Sequence, residues 1–309
     1  MIHIACNIDS RYVRHCAVTL VSLFENNPSE EFTVHILDGG LNQQEQETLS
    51  QLAQRYCHTV RYYSPQPDML KGLSIHKFGK RISMATYYRC ILADILPPGI
   101  EKVLYLDCDI VVRGNIRPFW DTPLDGRTGV AAVEDTGCGE TRRYEILNYP
   151  MKDSYFNAGV LLINLTFWRG HQVGKACIEY FRKYPERILF NDQDLLNSIL
   201  HAHKSLVDLR WNVQDGFYRT PPDGLTSGWR EKYADVLKHP AILHYTNRKP
   251  WDYDSQHPLR MEYFKYLDLT PWKGERPWND LSNRLKRMFY LIPFRLRVRR
   301  PKYVDLNSF

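Results

Sequence analysis

The chain of 309 residues contains no run of eighteen consecutive apolar residues, the length that marks a candidate membrane-spanning helix. Its first residues, Met1 to Ile4, lead directly into a strand-like run and lack the charged start, apolar segment and small-residue cleavage site of a secretion signal. The seven cysteines are odd in number and include no C-x-x-C pair, so neither a zinc ribbon nor a disulfide framework is indicated. We expect a cytoplasmic protein that does not span a membrane and whose cysteines are mostly small core residues.

Three common active-site motifs are also missing. The sequence has no G-x-x-x-x-G-K-[ST], no G-x-G-x-x-G after its first predicted strand, and no H-E-x-x-H. These absences argue against a P-loop kinase, a nicotinamide dehydrogenase and a zinc protease of the H-E-x-x-H type. Without a glycine-rich cradle, a bound nucleotide diphosphate would depend on a metal ion and on a basic side chain, for which Lys249 is the candidate.

The net charge of +6 comes from the C-terminus. Residues 275–309 hold nine lysines and arginines against three acidic residues, which leaves 32 basic and 32 acidic residues among the other 274. A neutral body argues against a basic nucleic-acid-binding face, and a basic tail indicates local electrostatic attachment. We therefore predict no nucleic-acid partner.

The tail is also amphipathic. Five apolar residues fall on one face of a predicted helix that should end at Pro293, and four arginines follow within six residues: Leu281, Leu285, Met288, Phe289 and Ile292, then Arg295, Arg297, Arg299 and Arg300. Two interpretations are open, a helix packed on the body or a helix lying on an anionic membrane surface. We favour the second, because apolar and basic features coincide, and expect a peripheral protein on the inner face of the cytoplasmic membrane.

Strand and helix patterns alternate in the first half of the chain. We predict strands at residues 2–6, 32–37, 59–63 and 102–106, with helices at 12–26, up to about 56, and at roughly 83–95. This alternation predicts an α/β fold, a mostly parallel, Rossmann-like sheet flanked by helices. Ligands of such sheets gather beyond the carboxyl ends of the strands.

The second half is less regular. We predict a strand at 158–165, a helix at 168–184, a helix opening at Asn191, and a strand at 241–245. Residues 208–238 are rich in Trp, Tyr, Gly and Pro without periodicity, which predicts a long surface excursion. Its aromatic residues Trp211, Tyr218 and Trp229 could be core residues or could stack on an acceptor sugar.

Acidic residues follow two predicted strands. Asp107-Cys108-Asp109 ends the buried strand at 102–106, and two acids one residue apart point to the same side of a strand, where their oxygens suit a divalent cation that also holds phosphates. Asp9 follows the first strand and His244 closes the last one. The imidazole suits manganese better than magnesium.

Taken together, these motifs resemble the retaining glycosyltransferases of family 8, particularly the bacterial lipooligosaccharide galactosyltransferases and glucosyltransferases. The resemblance covers about residues 2–252. Its motifs are Asp9 with Tyr12, Thr86-Tyr87-Tyr88-Arg89, Leu104-Tyr105-Leu106-Asp107-Cys108-Asp109, Phe156-Asn157-Ala158-Gly159-Val160-Leu161, Asn191-Asp192-Gln193-Asp194, and His244-Tyr245 ahead of Lys249-Pro250-Trp251.

The resemblance implies a single GT-A domain of the nucleotide-diphospho-sugar transferase type, residues 1–274, followed by the basic tail 275–309. It implies a UDP-hexose donor, galactose or glucose, a glycan or glycolipid acceptor, and Mn²⁺, with Mg²⁺ as the alternative. The implied metal ligands are Asp107, Asp109 and His244. The implied nucleotide-binding residues are Asn7, Asp9, Tyr12, Cys108 and Lys249. The implied donor-sugar residues are Arg89, Asp107, Asn157, Ala158, Gly159, Asp192 and Gln193.

By the same resemblance Gln193, Asp192 and Arg89 are the catalytic candidates, and Asp135, after the strand-like run 131–133, is a candidate acceptor contact. Retention of configuration can follow from front-face attack or from two inversions through an enzyme nucleophile. Gln193 occupies the family position nearest the anomeric carbon, and an amide is a poor nucleophile, so we favour the front-face route. The rival interpretations are a catalytically silent nucleotide-sugar or carbohydrate binding protein, a sugar-nucleotide hydrolase and a self-glucosylating primer.

Two segments depart from the family pattern. Thr246-Asn247-Arg248, between the His-Tyr pair and Lys249, contains no glycine where the family commonly has one. The first strand ends in Asn7-Ile8-Asp9 in place of small residues and paired acids. The first departure concerns whether this backbone contacts the phosphates. The second concerns the contacts of the first strand with the base or the ribose.

Overall fold

The computed structural model describes residues 1–75, 83–220, 229–296 and 298–308. Its strands are β1 (Ile2–Ile8), β2 (Phe32–Asp38), β3 (Thr59–Tyr63), β4 (Lys102–Leu106), β5 (Ile110–Val112), β6 (Val130–Glu134), β7 (Phe156–Asn164), β8 (Lys204–Leu206), β9 (Val213–Gln214) and β10 (Ile242–His244). Its α-helices are α1 (Val13–Glu25), α2 (Gln43–Gln54), α3 (Leu92–Ile95), α4 (Arg117–Trp120), α5 (Thr141–Leu147), α6 (Leu165–Gly170), α7 (Val173–Lys183), α8 (Asn191–Leu200), α9 (Trp229–Lys238), α10 (Arg260–Leu267) and α11 (Leu281–Arg295).

Seven strands form one sheet in the order β3-β2-β1-β4-β7-β6-β8. β1 pairs in parallel with β2 and β4, whereas β7 runs antiparallel to both of its neighbours. The predicted α/β class and mostly parallel sheet are confirmed, and all four strands expected in the first half are present. Alternate residues of β1, such as Ala5 and Cys6, enter cores on opposite faces of the sheet. β4 is therefore covered on both sides, and Val103, Leu104, Tyr105 and Leu106 are fully buried.

A second, smaller sheet brings distant parts of the chain to the end of β4. Its order is β5-β10-β9, with β10 antiparallel to β5 and parallel to β9. In this register His244 lies opposite Ile110 on one side and Gln214 on the other. The backbone N–H of Tyr245 donates to the carbonyl of Asp109 at 3.0 Å. The small sheet therefore places His244 beside the second aspartate of the D-x-D sequence.

Two predicted helices differ from those observed. Residues Met84–Ile91 form a 3-10 helix that leads into the short α3, where the sequence predicted one α-helix. Its aromatic and β-branched residues have low α-helix propensity, and Arg89 donates from its side chain to the carbonyl of Thr86. The helix predicted at 168–184 is divided into α6 and α7, because Gln172 adopts a left-handed conformation with a φ of 49°.

The prediction of a surface excursion at 208–238 was wrong for residues 212–218. Asn212, Gln214, Asp215 and Tyr218 are fully buried, because their polar atoms have partners inside the protein. The Gln214 amide donates to the Glu134 carbonyl at 2.8 Å, for example. Residues 221–228, within the same prediction, lie outside the described residues.

Two aromatic residues of this segment, Trp211 and Tyr218, make contacts within the protein. Trp211 stacks on Phe119 with 5.3 Å between the ring centroids, and the Tyr218 hydroxyl donates to the carbonyl of Leu237. Trp229 is the first residue of α9. For Trp211 and Tyr218 the structure therefore favours the core interpretation over sugar stacking.

The C-terminal helix α11 continues through Pro293 to Arg295, so the predicted end at Pro293 was wrong. Pro293 lacks an N–H donor, but the turn after it still forms, because the N–H of Leu296 donates to the Ile292 carbonyl at 2.9 Å. Beyond the helix the chain returns to the body, where the N–H of Val304 donates to the Tyr218 carbonyl at 2.8 Å. None of the helices in the described ranges is long and apolar enough to cross a membrane.

Candidate active site

The D-x-D sequence lies where β4 leaves the sheet. The N–H of Asp107 donates to the carbonyl of Gly159 on β7 at 2.8 Å, which continues the pairing of the two strands by one residue. The side chains of Asp107 and Asp109 face the same site, as the sequence predicted, whereas Cys108 is 5% exposed and belongs to the core beneath. Any contact between Cys108 and a nucleotide would therefore come from its backbone.

Arg89 joins the two acidic segments of the site. Its guanidinium contacts both oxygens of Asp107, at 2.7 and 3.3 Å, and its Nε lies 3.0 Å from Asp192 Oδ2. It also donates to the carbonyl of Ala158 at 2.7 Å. Burial alone would lower the pKa of Arg89, but the charges of Asp107 and Asp192 raise it well above its usual value. This one cation compensates two carboxylates.

Asp109 lies between a histidine and a lysine. His244 Nε2 is 3.1 Å from Asp109 Oδ1 and 3.8 Å from Asp107 Oδ2. Lys249 Nζ contacts Asp109 Oδ2 and donates to the Tyr245 carbonyl at 2.6 Å. Burial raises the pKa of Asp109, but Lys249 and His244 lower it far more, so the carboxyl stays ionised. Lys249 therefore lies beside the candidate metal site, where a bound diphosphate would be held.

A chain of hydrogen bonds sets the tautomer of His244. The Asp135 carboxylate can only accept, so Asn157 turns its NH₂ group toward it at 3.0 Å and leaves its oxygen to the NH₂ group of Asn212 at 2.9 Å. The Asn212 oxygen then faces His244 Nδ1 at 2.9 Å and requires a proton there. When the imidazole is neutral, this leaves a lone pair on His244 Nε2, which faces the two aspartates as a metal ligand would.

This arrangement fits a divalent cation. Loss of the Nε2 proton would place a lone pair beside two carboxylates, an arrangement that a positive ion stabilises, and Asp109 Oδ1 is buried with no hydrogen-bond partner. The ligand atoms of Asp107, Asp109 and His244 lie within 4.8 Å of one another. Adjacent ligands of an octahedral ion at about 2.1 Å lie about 3 Å apart, so small side-chain movements would complete the site.

Gly159 makes room for these ligands. A Cβ atom at this position would lie 2.2 Å from His244 Cε1 and 2.7 Å from Asp107 Oδ2. The backbone cannot withdraw easily, because the Gly159 carbonyl accepts from Asp107 and its N–H donates to Asn157 Oδ1 at 3.0 Å. The family resemblance implied that Gly159 contacts the donor sugar. The structure shows in addition that this position has no room for a Cβ atom.

Gln193 lies at the start of α8, next to the same network. Its Oε1 accepts from the N–H of Ala158 at 2.9 Å, and its Nε2 donates to Asp135 Oδ2 at 3.2 Å. Its neighbour Asp192 is buried, which raises the pKa of that carboxyl despite the charge of Arg89, and accepts from Thr86 Oγ1. The structure thus brings the three catalytic candidates and Asp135 into one cluster.

The candidate nucleotide-binding residues follow β1. The Asn7 amide donates to the Ala85 carbonyl at 2.8 Å and is contacted by the Tyr105 hydroxyl. Asp9 pairs with Arg11 at 2.7 Å. The Tyr12 ring meets the edge of Trp251 with centroids 6.4 Å apart. These residues lie at the carboxyl end of the sheet, as predicted.

Asn212 contacts two of the candidate site residues, and sequence reasoning missed it. It lies in the segment interpreted as a surface excursion, and no motif marks it. Its position is decided by β9, which pairs with β10 and brings it within hydrogen-bond distance of both Asn157 and His244. Sequence alone offered no signal for it, since neither neighbour is close to it in the chain.

Replacing Asn212 with leucine is expected to weaken divalent-cation binding. Without the acceptor, His244 is free to carry its proton on Nε2, and loss of such a supporting group typically costs about 10- to 100-fold in metal affinity. Calorimetric titration of Mn²⁺ in the presence of UDP measures the effect. Asn212→Asp keeps an acceptor and serves as the control, which should retain more affinity than Asn212→Leu. Equal affinities in wild type and Asn212→Leu would contradict the tautomer argument.

Comparison with known proteins agrees with this geometry. The sequence model of glycosyl transferase family 8 matches residues 3–255. General stress protein A of Bacillus subtilis is 30% identical over 279 residues, which cover 88% of this chain and 95% of that protein. The lipopolysaccharide 1,3-galactosyltransferase of Salmonella typhimurium is 29% identical over 276 residues, covering 87% of this chain and 79% of that enzyme.

A solved structure is similar in fold. The crystal structure of the galactosyltransferase LgtC in complex with donor and acceptor sugar analogs superposes with a TM-score of 0.79 and 25% sequence identity. The similarity covers 90% of this chain and 99% of LgtC.

Proposed function

The chain belongs to glycosyl transferase family 8 and is a glycosyltransferase, and from this premise we propose that it transfers galactose or glucose from a UDP-sugar, with retention of configuration, to a glycan acceptor of lipopolysaccharide or a related surface polysaccharide. Two relatives are lipopolysaccharide transferases, one for galactose and one for glucose. The observation that carries the proposal is the convergence of Asp107, Asp109 and His244 Nε2 at the carboxyl end of the sheet.

We propose Mn²⁺ as the cation, with Mg²⁺ as the alternative. Asp107, Asp109 and His244 would hold it, and a dication at this position supplies positive charge to the diphosphate as the anomeric bond breaks. Lys249, next to Asp109, adds a second positive charge on the same side. Arg89 pairs with both Asp107 and Asp192 and holds the two carboxylates in place. The imidazole ligand favours manganese.

The hydrogen bonds of Gln193 support front-face transfer. Its oxygen accepts from Ala158 and its nitrogen donates to Asp135, so the amide is held as a positioning group beside the donor sugar. Asp192 is engaged by Arg89 and Thr86 and is buried. In the proposed route neither side chain attacks the sugar, and the departing phosphate oxygen takes the proton of the acceptor hydroxyl.

Gln193→Ala is accordingly expected to lower kcat by about 10- to 100-fold, through lost positioning, while leaving measurable transfer. UDP release with acceptor present gives the rate, and UDP affinity confirms that the variant is folded. Complete loss of transfer in a folded, UDP-binding variant would indicate that Gln193 is the nucleophile of a double displacement.

The experiment that tests the proposed function is UDP release from UDP-galactose and UDP-glucose, with and without Mn²⁺, against a panel of short glycosides. Metal-dependent turnover that increases with one glycoside identifies the donor and the acceptor class together. Turnover that is independent of any glycoside would indicate a hydrolase. Tight UDP binding with Mn²⁺ but no consumption of either donor would indicate a silent sugar-nucleotide binding protein.

We further propose that α11 attaches the enzyme to the inner face of the cytoplasmic membrane. Its apolar side is exposed, with Leu281 67% and Phe289 64% accessible. Arg284 and Lys286 lie on the same helix and complement anionic lipid headgroups. The Arg287 guanidinium donates to the Ser255 carbonyl at 3.0 Å and ties the helix to the body. An attached enzyme would remain beside a lipid-linked acceptor.

The double variant Leu281→Ser/Phe289→Ser is expected to bind anionic vesicles about tenfold or more weakly, because each fully buried apolar side chain contributes about 1.5–3 kcal/mol. Vesicle co-sedimentation measures the binding, and turnover on a soluble acceptor should be unchanged. Met151→Ser, at an apolar residue that is 47% exposed and lies outside α11, is the control. Unchanged co-sedimentation of the double variant would refute the attachment.

A further inference from the structure

Three cysteines that are far apart in the sequence meet directly behind the D-x-D site. Cys6 lies on β1, Cys16 lies on α1 and Cys108 lies between the two aspartates. Their Sγ atoms all lie within 4.8 Å of one another. Cys6 and Cys16 are fully buried, and Cys108 is 5% exposed. Three separate segments therefore contribute one thiol each to a single point in the core.

The spacing of the sulfurs fits one metal ion. Three sulfurs that surround an ion in a plane at about 2.3 Å lie about 4 Å from one another. The three sulfurs lie no more than 4.8 Å apart, which is compatible with that spacing. Among the described residues, no other histidine, cysteine, aspartate or glutamate belongs to this group. Within the part of the chain that the structure describes, the donor set is therefore three sulfurs with no fourth histidine, cysteine, aspartate or glutamate.

We propose that Cys6, Cys16 and Cys108 form a second metal site, which binds a soft, thiophilic cation with Cu⁺ as the best match. Thiolates select soft ions, whereas the oxygens of Asp107 and Asp109 select hard ones, so the two sites discriminate by ligand chemistry. Zinc in closed structural sites takes four ligands, and this donor set has three. Binding displaces thiol protons and forms copper–sulfur bonds without any change in oxidation state.

The packing of the three segments predicts a thermal effect. An ion held by all three sulfurs cross-links β1, α1 and the D-x-D segment, and a ligand that binds only the folded chain raises its stability. The other buried cysteines supply a comparison. Cys90 and Cys177 are both buried in the core on the opposite face of the sheet and do not belong to the three-thiol group.

The test is a titration of the purified full chain with Cu⁺ under argon, with ascorbate as reductant and bicinchoninate as the competing chelator. Wild type should retain one Cu⁺ per chain, show sulfur-to-copper absorption in the ultraviolet, and gain in Tm. Cys16→Ala should hold Cu⁺ at least about tenfold less tightly and show no gain in Tm. Cys177→Ala, buried in the other core, and Cys57→Ser, on the surface, should behave as wild type.

A second variant, Cys6→Ala, keeps the test decisive if Cys16→Ala does not fold, and circular dichroism establishes folding before each titration. The proposal is overturned if wild type yields all its Cu⁺ to the chelator. It is also overturned if a folded Cys6→Ala or Cys16→Ala binds as tightly as wild type, or if X-ray absorption shows oxygen or nitrogen ligands around the copper in place of sulfur.

Discussion

Gly159→Ala is expected to reduce metal-dependent transfer by at least about a hundredfold, although it adds a single methyl group. The added Cβ would lie 2.2 Å from His244 Cε1 and 2.7 Å from Asp107 Oδ2, so both side chains would have to move from the positions in which they can share an ion. The main chain of Gly159 is held on both sides by hydrogen bonds to Asp107 and Asn157. We therefore expect the side chains of His244 and Asp107 to move while the main chain of Gly159 stays in place.

Initial rates at increasing Mn²⁺ measure this effect, together with Mn²⁺ affinity by calorimetry. Gly170→Ala is the matched control, because a Cβ at Gly170 would meet no atom within 4 Å. That variant should keep both the rate and the metal affinity of wild type. If Gly159→Ala binds Mn²⁺ as wild type does, then His244 and Asp107 are not joint ligands and the proposed site is wrong.

Arg89→Met is expected to lower the free energy of unfolding by about 3–5 kcal/mol and to abolish transfer. The arginine is the cation for both Asp107 and Asp192, and removal of one partner from a buried ion pair leaves an uncompensated charge. Most of the lost stability should come from Asp192, because burial already raises the pKa of that carboxyl and Arg89 opposes the rise. Asp107 is more accessible to solvent, with 23% of its side chain exposed.

Urea unfolding at two pH values tests this account. Without Arg89 the pKa of Asp192 should rise further, so the folded state takes up a proton more readily than the unfolded state does. The stability deficit of Arg89→Met relative to wild type should therefore be largest at neutral pH and shrink as the pH falls toward 5. Arg89→Lys keeps the positive charge but loses the bidentate contact, so its free energy of unfolding should lie between those of wild type and Arg89→Met. A deficit that does not change with pH would point to lost packing instead of an uncompensated carboxylate.

The sequence by itself determined the strands of the first half, the α/β class and the position of the D-x-D residues. These features depend on local information: an unbroken apolar run predicts a strand buried on both faces, and a polar residue just after it must lie at the edge of the sheet. The structure also places some residues inferred from the family resemblance beside one another: Arg89 pairs with Asp107, and Gln193 accepts from Ala158.

Only the tertiary structure decided the roles of residues whose partners are distant in the chain. Asn212 acts on His244 because β9 pairs with β10, and Gly159 must be small because β7 lies against the end of β4. Cys6, Cys16 and Cys108 converge because β1, α1 and β4 share one core. Local composition predicted a surface excursion at 208–238, in which residues 212–218 are in fact buried, and it predicted cysteines that are separate small core residues. Polarity and periodicity reflect only how a residue contacts its neighbours along the chain. Which distant groups satisfy a buried polar atom is set by strand pairing and packing, which local patterns do not contain.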